Sequence, residues 1–261
     1  MQKTIWITGA SSGIGEALAI NYSRLNANLI LSSRNKSKLE DLAKRCKTPS
    51  NVVLVAPLDL ADNKSFSSVL ELVQNHFNKI DVLINNGGLS QRSTVLESNL
   101  EMDRRIFEVN YFGTIELTRQ VLPWMIRSGG GNITVISSIS GKFGFPLRSA
   151  YSATKHAVIG FFETLGLEHI SDKIHTTIVC PGRIKTNISK HALDGSGKPT
   201  GSMDTGLANG MPAEDCAKQI IKAIRKNKRQ VLVGRKELLM VYIHKYLPWL
   251  FWEIAPKIDP K

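Results

Sequence analysis

Lys3 to Thr8 is a β-branched, apolar run that ends in Gly9-Ala10-Ser11-Ser12-Gly13-Ile14-Gly15. Ala17, Leu18, Tyr22 and Leu25 then recur at helical spacing. A glycine-rich turn between a strand and a helix lets the backbone approach a pyrophosphate, and the helix N-terminus offers it unpaired N–H groups. A turn used only to reverse the chain does not need three glycines at this spacing. The order Gly-x-x-x-Gly-x-Gly is one residue longer than the usual dinucleotide fingerprint.

Strand-like and helix-like stretches continue to alternate. Further strands are predicted over Asn28–Ser33, Val52–Pro57, Ile80–Ile84, Gly131–Ile136, Ile174–Cys180 and Gln230–Val233. Helices are predicted at about 63–77, 100–112 and 114–127, and a basic one opens at Pro212. This β-α order predicts an α/β fold with a right-handed, doubly wound parallel sheet of seven strands and helices on both faces. No repeat or linker divides the 261 residues, so a single domain over 1–261 is expected.

The formal charge of +12 allows nucleic acid, a membrane surface or an anionic ligand as partner. Its densest part is Lys218 to Lys236, where Ile220, Ile221 and Ile224 interleave with cations. That pattern is an amphipathic helix with a wet charged face, and no nucleic-acid module surrounds it. Cys46, Cys180 and Cys216 are widely spaced and odd in number, so they predict neither a disulfide framework nor a metal site. A reducing, cytoplasmic setting is the expectation. The strand-like start leaves no room for a signal peptide, and no uncharged apolar run reaches the length of a membrane span.

The chemistry centres on Tyr151-Ser152-Ala153-Thr154-Lys155, read as the start of a helix with Ser149 as its cap. Positions four apart share a helix face, so the phenol and the ammonium point the same way. A free phenol titrates near ~10, and a nearby cation lowers that value, making tyrosine a usable general acid/base. Tyr-x-x-x-Lys recurs by chance in many helices, so its weight comes from the other motifs. The second strand ends at Arg34 with no carboxylate beside it, and a guanidinium there matches a ribose 2′-phosphate. Asp59, in Leu58-Asp59-Leu60, is placed to face the adenine. Asn85-Asn86-Gly87-Gly88 ends the fourth strand at the cleft edge. Asn110, in mid-helix beside Gly113, fits a local kink that holds a water; on its own the residue reads more simply as a capping or packing asparagine. Ser137-Ser138 ends strand five, where a hydroxyl opposite Tyr151 can donate to a substrate oxygen. The polar, glycine-rich stretch 187–211 reads as a substrate lid.

Together these motifs resemble the short-chain dehydrogenase/reductase family, in its branch of about 250 residues. The resemblance covers roughly Lys3 to Val233 and rests on Thr8-Gly9-x-x-x-Gly13-x-Gly15, Asn85-Asn86-x-Gly88, Asn110, Ser138, Tyr151-x-x-x-Lys155 and Pro181-Gly182, in that order. It implies a Rossmann-like fold and a catalytic set of Asn110, Ser138, Tyr151 and Lys155. Tyr151 would exchange the proton, Ser138 would polarise the substrate oxygen, and Lys155 would bind the nicotinamide ribose and lower the Tyr151 pKa. Asn110 would anchor a water linking Lys155 to solvent. The implied cofactor, NADP(H), would lie against Gly9, Ser11, Ser12, Gly13, Ile14, Gly15, Arg34, Asp59, Leu60, Asn86, Gly87, Tyr151, Lys155, Pro181, Gly182, Ile184 and Thr186. Gly87 stands where the family usually has alanine, which removes a methyl and is expected to loosen the loop. The family also implies a homodimer or homotetramer.

The tail over 235–261 lies outside these motifs. Leu238, Leu239, Val241, Tyr242, Tyr246, Leu247, Trp249, Leu250, Phe251 and Trp252 form an aromatic patch, interrupted by Pro248 and flanked by cations. Substrate enclosure, a subunit contact and peripheral membrane docking all fit it. The expected function is carbonyl–alcohol interconversion on a small molecule. The alternative is a catalytically silent protein that senses the cofactor or binds nucleic acid.

Overall fold

The computed structural model of the chain describes residues 2–258. β1 (Thr4–Thr8) leads through the glycine turn to α1 (Gly13–Ser23), then β2 (Asn28–Ser32), α2 (Lys36–Cys46) and β3 (Val53–Val55). A 3-10 turn at Asn63–Ser65 opens α3 (Phe66–Gln74), followed by β4 (Val82–Asn85). These strands pair side by side in the order β3-β2-β1-β4, all parallel. The chain thus winds outward from β1 to β3, then returns to β1's other edge. That reversal opens a crevice at the carboxyl ends of β1 and β4, where such sheets bind ligands.

α4 (Leu100–Phe107) and α5 (Gly113–Arg127) are joined without a break by a π-turn at Glu108–Phe112. Two separate helices were predicted here, and the kink expected at Asn110 takes the form of this widened turn. β5 (Gly131–Ile136), α6 (Ser149–Glu168) and β6 (Ile174–Pro181) follow. A two-residue parallel pair, β7 (Ile184–Lys185) with β8 (Met211–Pro212), brackets the 187–211 stretch and its short helix α7 (Thr205–Ala208). α8 (Ala213–Arg225) and β9 (Gln230–Val233) complete the seven-stranded sheet, ordered β3-β2-β1-β4-β5-β6-β9.

Both faces of the sheet are covered, as a parallel sheet requires. On β1, Ile5 and Ile7 point into a cluster with α1, α2 and α8, whereas Trp6 points into a cluster with α3, α5 and α6. α8 buries Ile220, Ile221 and Ile224 and leaves Lys218, Lys222 and Arg225 in solvent, so its basic face is wet.

The tail forms α9 (Leu239–Tyr246) and α10 (Pro248–Ile254), with Pro248 starting α10 where its missing N–H costs nothing. Phe251 is buried against Phe143 and His244, with ring centroids 5.3 and 4.8 Å apart. The opposite side exposes Tyr246, Trp249 and Trp252, the last at 72%. No helix among the described residues is long and apolar enough to cross a membrane.

Candidate active site

The carboxyl ends of β1 and β4 are laced together around the glycine turn. The Thr8 hydroxyl accepts from the Asn86 and Gly87 N–H groups at 3.0 Å, and the Asn86 amide donates to the Thr8 and Gly9 carbonyls at 3.0 and 3.2 Å. Gly9 has φ +64°, and a Cβ there would lie 2.8 Å from the Gly87 Cα. Asn86, predicted to lie against the cofactor, spends its amide on holding this turn.

Ser12 precedes α1 without capping it, so the first-turn N–H groups of α1 lack a side-chain acceptor. Arg34 is exposed just beyond the end of β2, and the neighbouring Ser33 Oγ is buried with no hydrogen-bond partner among the described residues. Asp59 is half-buried, its carboxylate accepting the Ala61 N–H at 3.0 Å. A narrow glycine cradle and an uncapped helix end fit the pyrophosphate of a dinucleotide. The Gly87 loop is not loosened as expected: a Cβ there would come within 2.7 Å of the Leu60 Cδ1, so Leu60 fills the place of the missing methyl.

From this cradle an open cleft runs to the substrate side. Ser138, Tyr151 and Lys155 line it together with Ile14, Pro181, Gly182, Ile184 and Thr186. Ser138 leaves β5 in an extended conformation; its hydroxyl accepts the Ser140 N–H at 3.1 Å, and it lines the cleft beside the Tyr151 side chain. Lys155, one turn along α6, places Nζ 5.6 Å from the Tyr151 ring centroid and donates to the Ile136 carbonyl at 2.8 Å.

The electrostatics differ from the sequence expectation. Burial pushes the Tyr151 phenol up, opposed by the neighbouring Ser138 hydroxyl and then by the Arg148 and Arg92 guanidiniums. Burial also brings the Lys155 ammonium down to about 8. Desolvation of both groups outweighs the lowering of Tyr151 expected from Lys155.

Asn110, predicted as the anchor of a water, is buried in the π-turn with its amide fully engaged. Nδ2 donates to the Leu89 carbonyl at 2.9 Å and to Thr154 Oγ1 at 3.1 Å, and Oδ1 accepts the Leu89 N–H at 2.7 Å. It thereby ties the loop after β4 to α6, and among the described residues no hydrogen bond joins it to Lys155. Ser149, predicted as a cap, lies inside the first turn of α6, and the N-cap position falls to Arg148.

Several residues of the cleft carried no signal in the sequence. Arg92 and Arg148 converge on the Asp204 carboxylate, Arg92 Nε at 2.9 Å and Arg148 at 3.4 Å. Glu237 accepts the Arg183 N–H at 2.8 Å and packs on Gly182, where a Cβ would meet its Cγ at 2.7 Å. Met240 of α9 and Ile258 add apolar wall. These partners lie 50 or more residues apart in sequence. Only the Ser90-Gln91-Arg92 run directly after a cleft-edge loop offered a hint.

A parallel sheet with a switch point at β1 and β4, a glycine cradle there, and a Ser-Tyr-Lys set in one cleft define a dinucleotide-dependent oxidoreductase fold. The family profile described as short chain dehydrogenase matches residues 3–196, and the chain belongs to the short-chain dehydrogenase/reductase family. It is 40% identical to the dehydrogenase/reductase SDR family protein 7-like of Anopheles gambiae, over 98% of this chain and 84% of that one. Among solved structures, a short-chain dehydrogenase/reductase of Burkholderia phymatum in complex with NAD superposes with a TM-score of 0.84 at 21% identity, covering 100% and 96% of the two chains. L-sorbose reductase of Gluconobacter frateurii, complexed with NADPH and L-sorbose, gives 0.79 at 25% identity over 91% and 97%.

Proposed function

We propose that the chain is an NADP(H)-dependent oxidoreductase that interconverts a carbonyl and a secondary alcohol. The observation that carries this is the convergence of Ser138, Tyr151 and Lys155 on one cleft wall, with Lys155 Nζ 5.6 Å from the Tyr151 ring centroid. When bound, the nicotinamide supplies or accepts the hydride. Ser138 and Tyr151 hold the substrate oxygen, and Tyr151 gives it a proton in reduction or takes one in oxidation. Lys155 donates to ribose hydroxyls and keeps positive charge beside the phenol. Pro181, Gly182, Ile184 and Thr186 exclude water from the nicotinamide side. The preference for the phosphorylated cofactor is read from exposed Arg34, the unpartnered Ser33 hydroxyl and the missing carboxylate at the end of β2. The 187–211 stretch, which contributes Ile188, Asp204 and Leu207 to the cleft, closes the substrate end. Its apolar neighbours Phe143, Phe145 and Met240 favour a substrate with an apolar body.

Two measurements test the reading. Tyr151→Phe should abolish NADPH-dependent carbonyl reduction and leave NADPH binding intact; full activity in that variant overturns the mechanism. Saturating NADPH, at about a hundred times its Kd, should add ~2.7 kcal/mol to stability. An equal or larger gain with NADH overturns the role given to Arg34.

A further inference from the structure

The first turn of α6 is not capped from its own end. Arg148 occupies the N-cap position, and a guanidinium has no acceptor to offer the N–H groups of the first turn. The Tyr151 N–H, the third in that turn, instead donates to Gln91 Oε1 at 3.1 Å, across sixty residues of sequence. Gln91 is 0% exposed. Its Nε2 donates to Ser149 Oγ at 3.1 Å and to Ser93 Oγ at 3.0 Å, so one side chain grips the turn at two points.

The backbone around Gln91 is held just as firmly. The Arg92 N–H donates to the Leu193 carbonyl at 2.8 Å, the Leu193 N–H to the Ser90 carbonyl at 2.9 Å, and the Ser93 N–H to the Leu147 carbonyl at 3.3 Å. Leu147 enters α6 with φ +64°, a conformation that a branched side chain rarely adopts. The path into the helix is therefore imposed by its neighbours, not by local preference.

From this geometry we propose that Gln91 is a positioning residue for Tyr151. Its amide caps α6 from outside the helix and sets the pitch of the turn that carries the phenol to Ser138. Gln91 touches neither substrate nor cofactor in this role. The proposal rests on Tyr151 being the proton donor and adds the group that aims it. A small tilt of the first turn moves a tyrosine hydroxyl much further than its backbone nitrogen, and proton transfer depends steeply on that placement.

The test uses the full chain, with 4-nitrobenzaldehyde as carbonyl probe and NADPH oxidation as readout. Gln91→Leu keeps the volume and removes the acceptor. Its kcat should fall roughly 10- to 100-fold, with the Kd for NADPH within about twofold of wild type. Gln91→Glu restores an acceptor to the Tyr151 N–H, at a helix end that favours negative charge, and the Ser93 and Ser149 hydroxyls can turn to donate to it. It should recover most of kcat. If Gln91→Leu does not fold, Ser149→Ala with Ser93→Ala loosens Gln91 in place and should lower kcat in the same selective way. Wild-type kcat in Gln91→Leu, or a loss that Gln91→Glu does not relieve, overturns the proposal. Tyr151→Phe, run beside them, separates the two failures: an active Tyr151→Phe removes the proton-donor reading, whereas an inactive one with a fully active Gln91→Leu removes only the positioning role.

Discussion

Glu237 holds Arg183 by its backbone: the carboxylate accepts the Arg183 N–H at 2.8 Å and, from the same oxygen, the Arg235 N–H at 3.1 Å. A side chain just past β9 thus fixes the turn after β6, which lines the cleft. Glu237→Ala leaves two N–H groups without their charged acceptor, and hydrogen bonds to charged groups contribute about 1.5–3 kcal/mol each. NADPH binding should weaken by roughly 3- to 30-fold, whereas Glu237→Gln, which keeps an acceptor oxygen, should stay near wild type. Titration of intrinsic fluorescence with NADPH checks both.

Two glycines of the cradle should respond in opposite ways to alanine. At Gly9 the added methyl meets backbone, the Gly87 Cα at 2.8 Å, in a left-handed conformation. Gly9→Ala should cost about 2–4 kcal/mol and abolish cofactor-induced stabilisation. At Gly87 the methyl meets only the Leu60 Cδ1, the free end of a side chain. Gly87→Ala should cost less than about 1.5 kcal/mol and leave the stabilisation by NADPH in place. Urea unfolding with and without NADPH separates the two.

Lys155 stands at about 8 because burial penalises its ammonium. Ribose hydroxyls that accept from the ammonium favour the charged form, so its pKa in the complex lies higher than in the protein alone. Binding then takes up a proton between the two values. Below about pH 8 the ammonium is present in both states and this group adds no pH dependence. Above it, NADPH affinity should fall, at most ~10-fold per pH unit. Lys155→Met should bind more weakly and lose the dependence. Kd values from about pH 7 to about 9.5 test this.

Asp204 pairs with two guanidiniums in a region where water is scarce, with only 8% of its side chain exposed and 6% of that of Arg92. Removing one member of such a buried pair costs about 3–5 kcal/mol, because the other charge stays buried. Asp204→Asn should be destabilised by that order. Asp204→Leu combined with Arg92→Leu should lose much less than the sum of the single changes. A double-mutant cycle by urea unfolding decides it. Trypsin should also cut faster after Lys190 in Asp204→Asn, since the 187–211 stretch loses an anchor.

The strands were legible because each central one is a run of apolar residues bounded by polar or glycine punctuation, and their ends place the motifs on one sheet edge. Gly9, Ser138 and Tyr151 could be assigned to that edge from chain order alone. Harder to read was whatever depends on partners distant in sequence. The Asn110 helix looked like two because a π-turn leaves the apolar rhythm out of phase by one residue. Gln91, Asp204 and Glu237 are ordinary polar residues until the fold brings Tyr151, Arg92 and Arg183 to them. The Tyr151 acidity was misjudged for a related reason: a sequence shows the cation four residues away, but not the depth at which both groups are buried.

β1 waits longer than any other strand of the large sheet for its second neighbour. β1 is finished by Thr8, yet one of its edges stays open until β4 arrives at Val82–Asn85. No pair in the large sheet is a hairpin, and every contact between strands waits for a crossover to close. At ordinary rates of synthesis that leaves Ile5, Trp6 and Ile7 uncovered for roughly 4–15 s. The nascent chain therefore carries an adhesive apolar edge until β4 is made. Its yield in cells should depend on chaperone supply more steeply than the finished protein's stability would suggest.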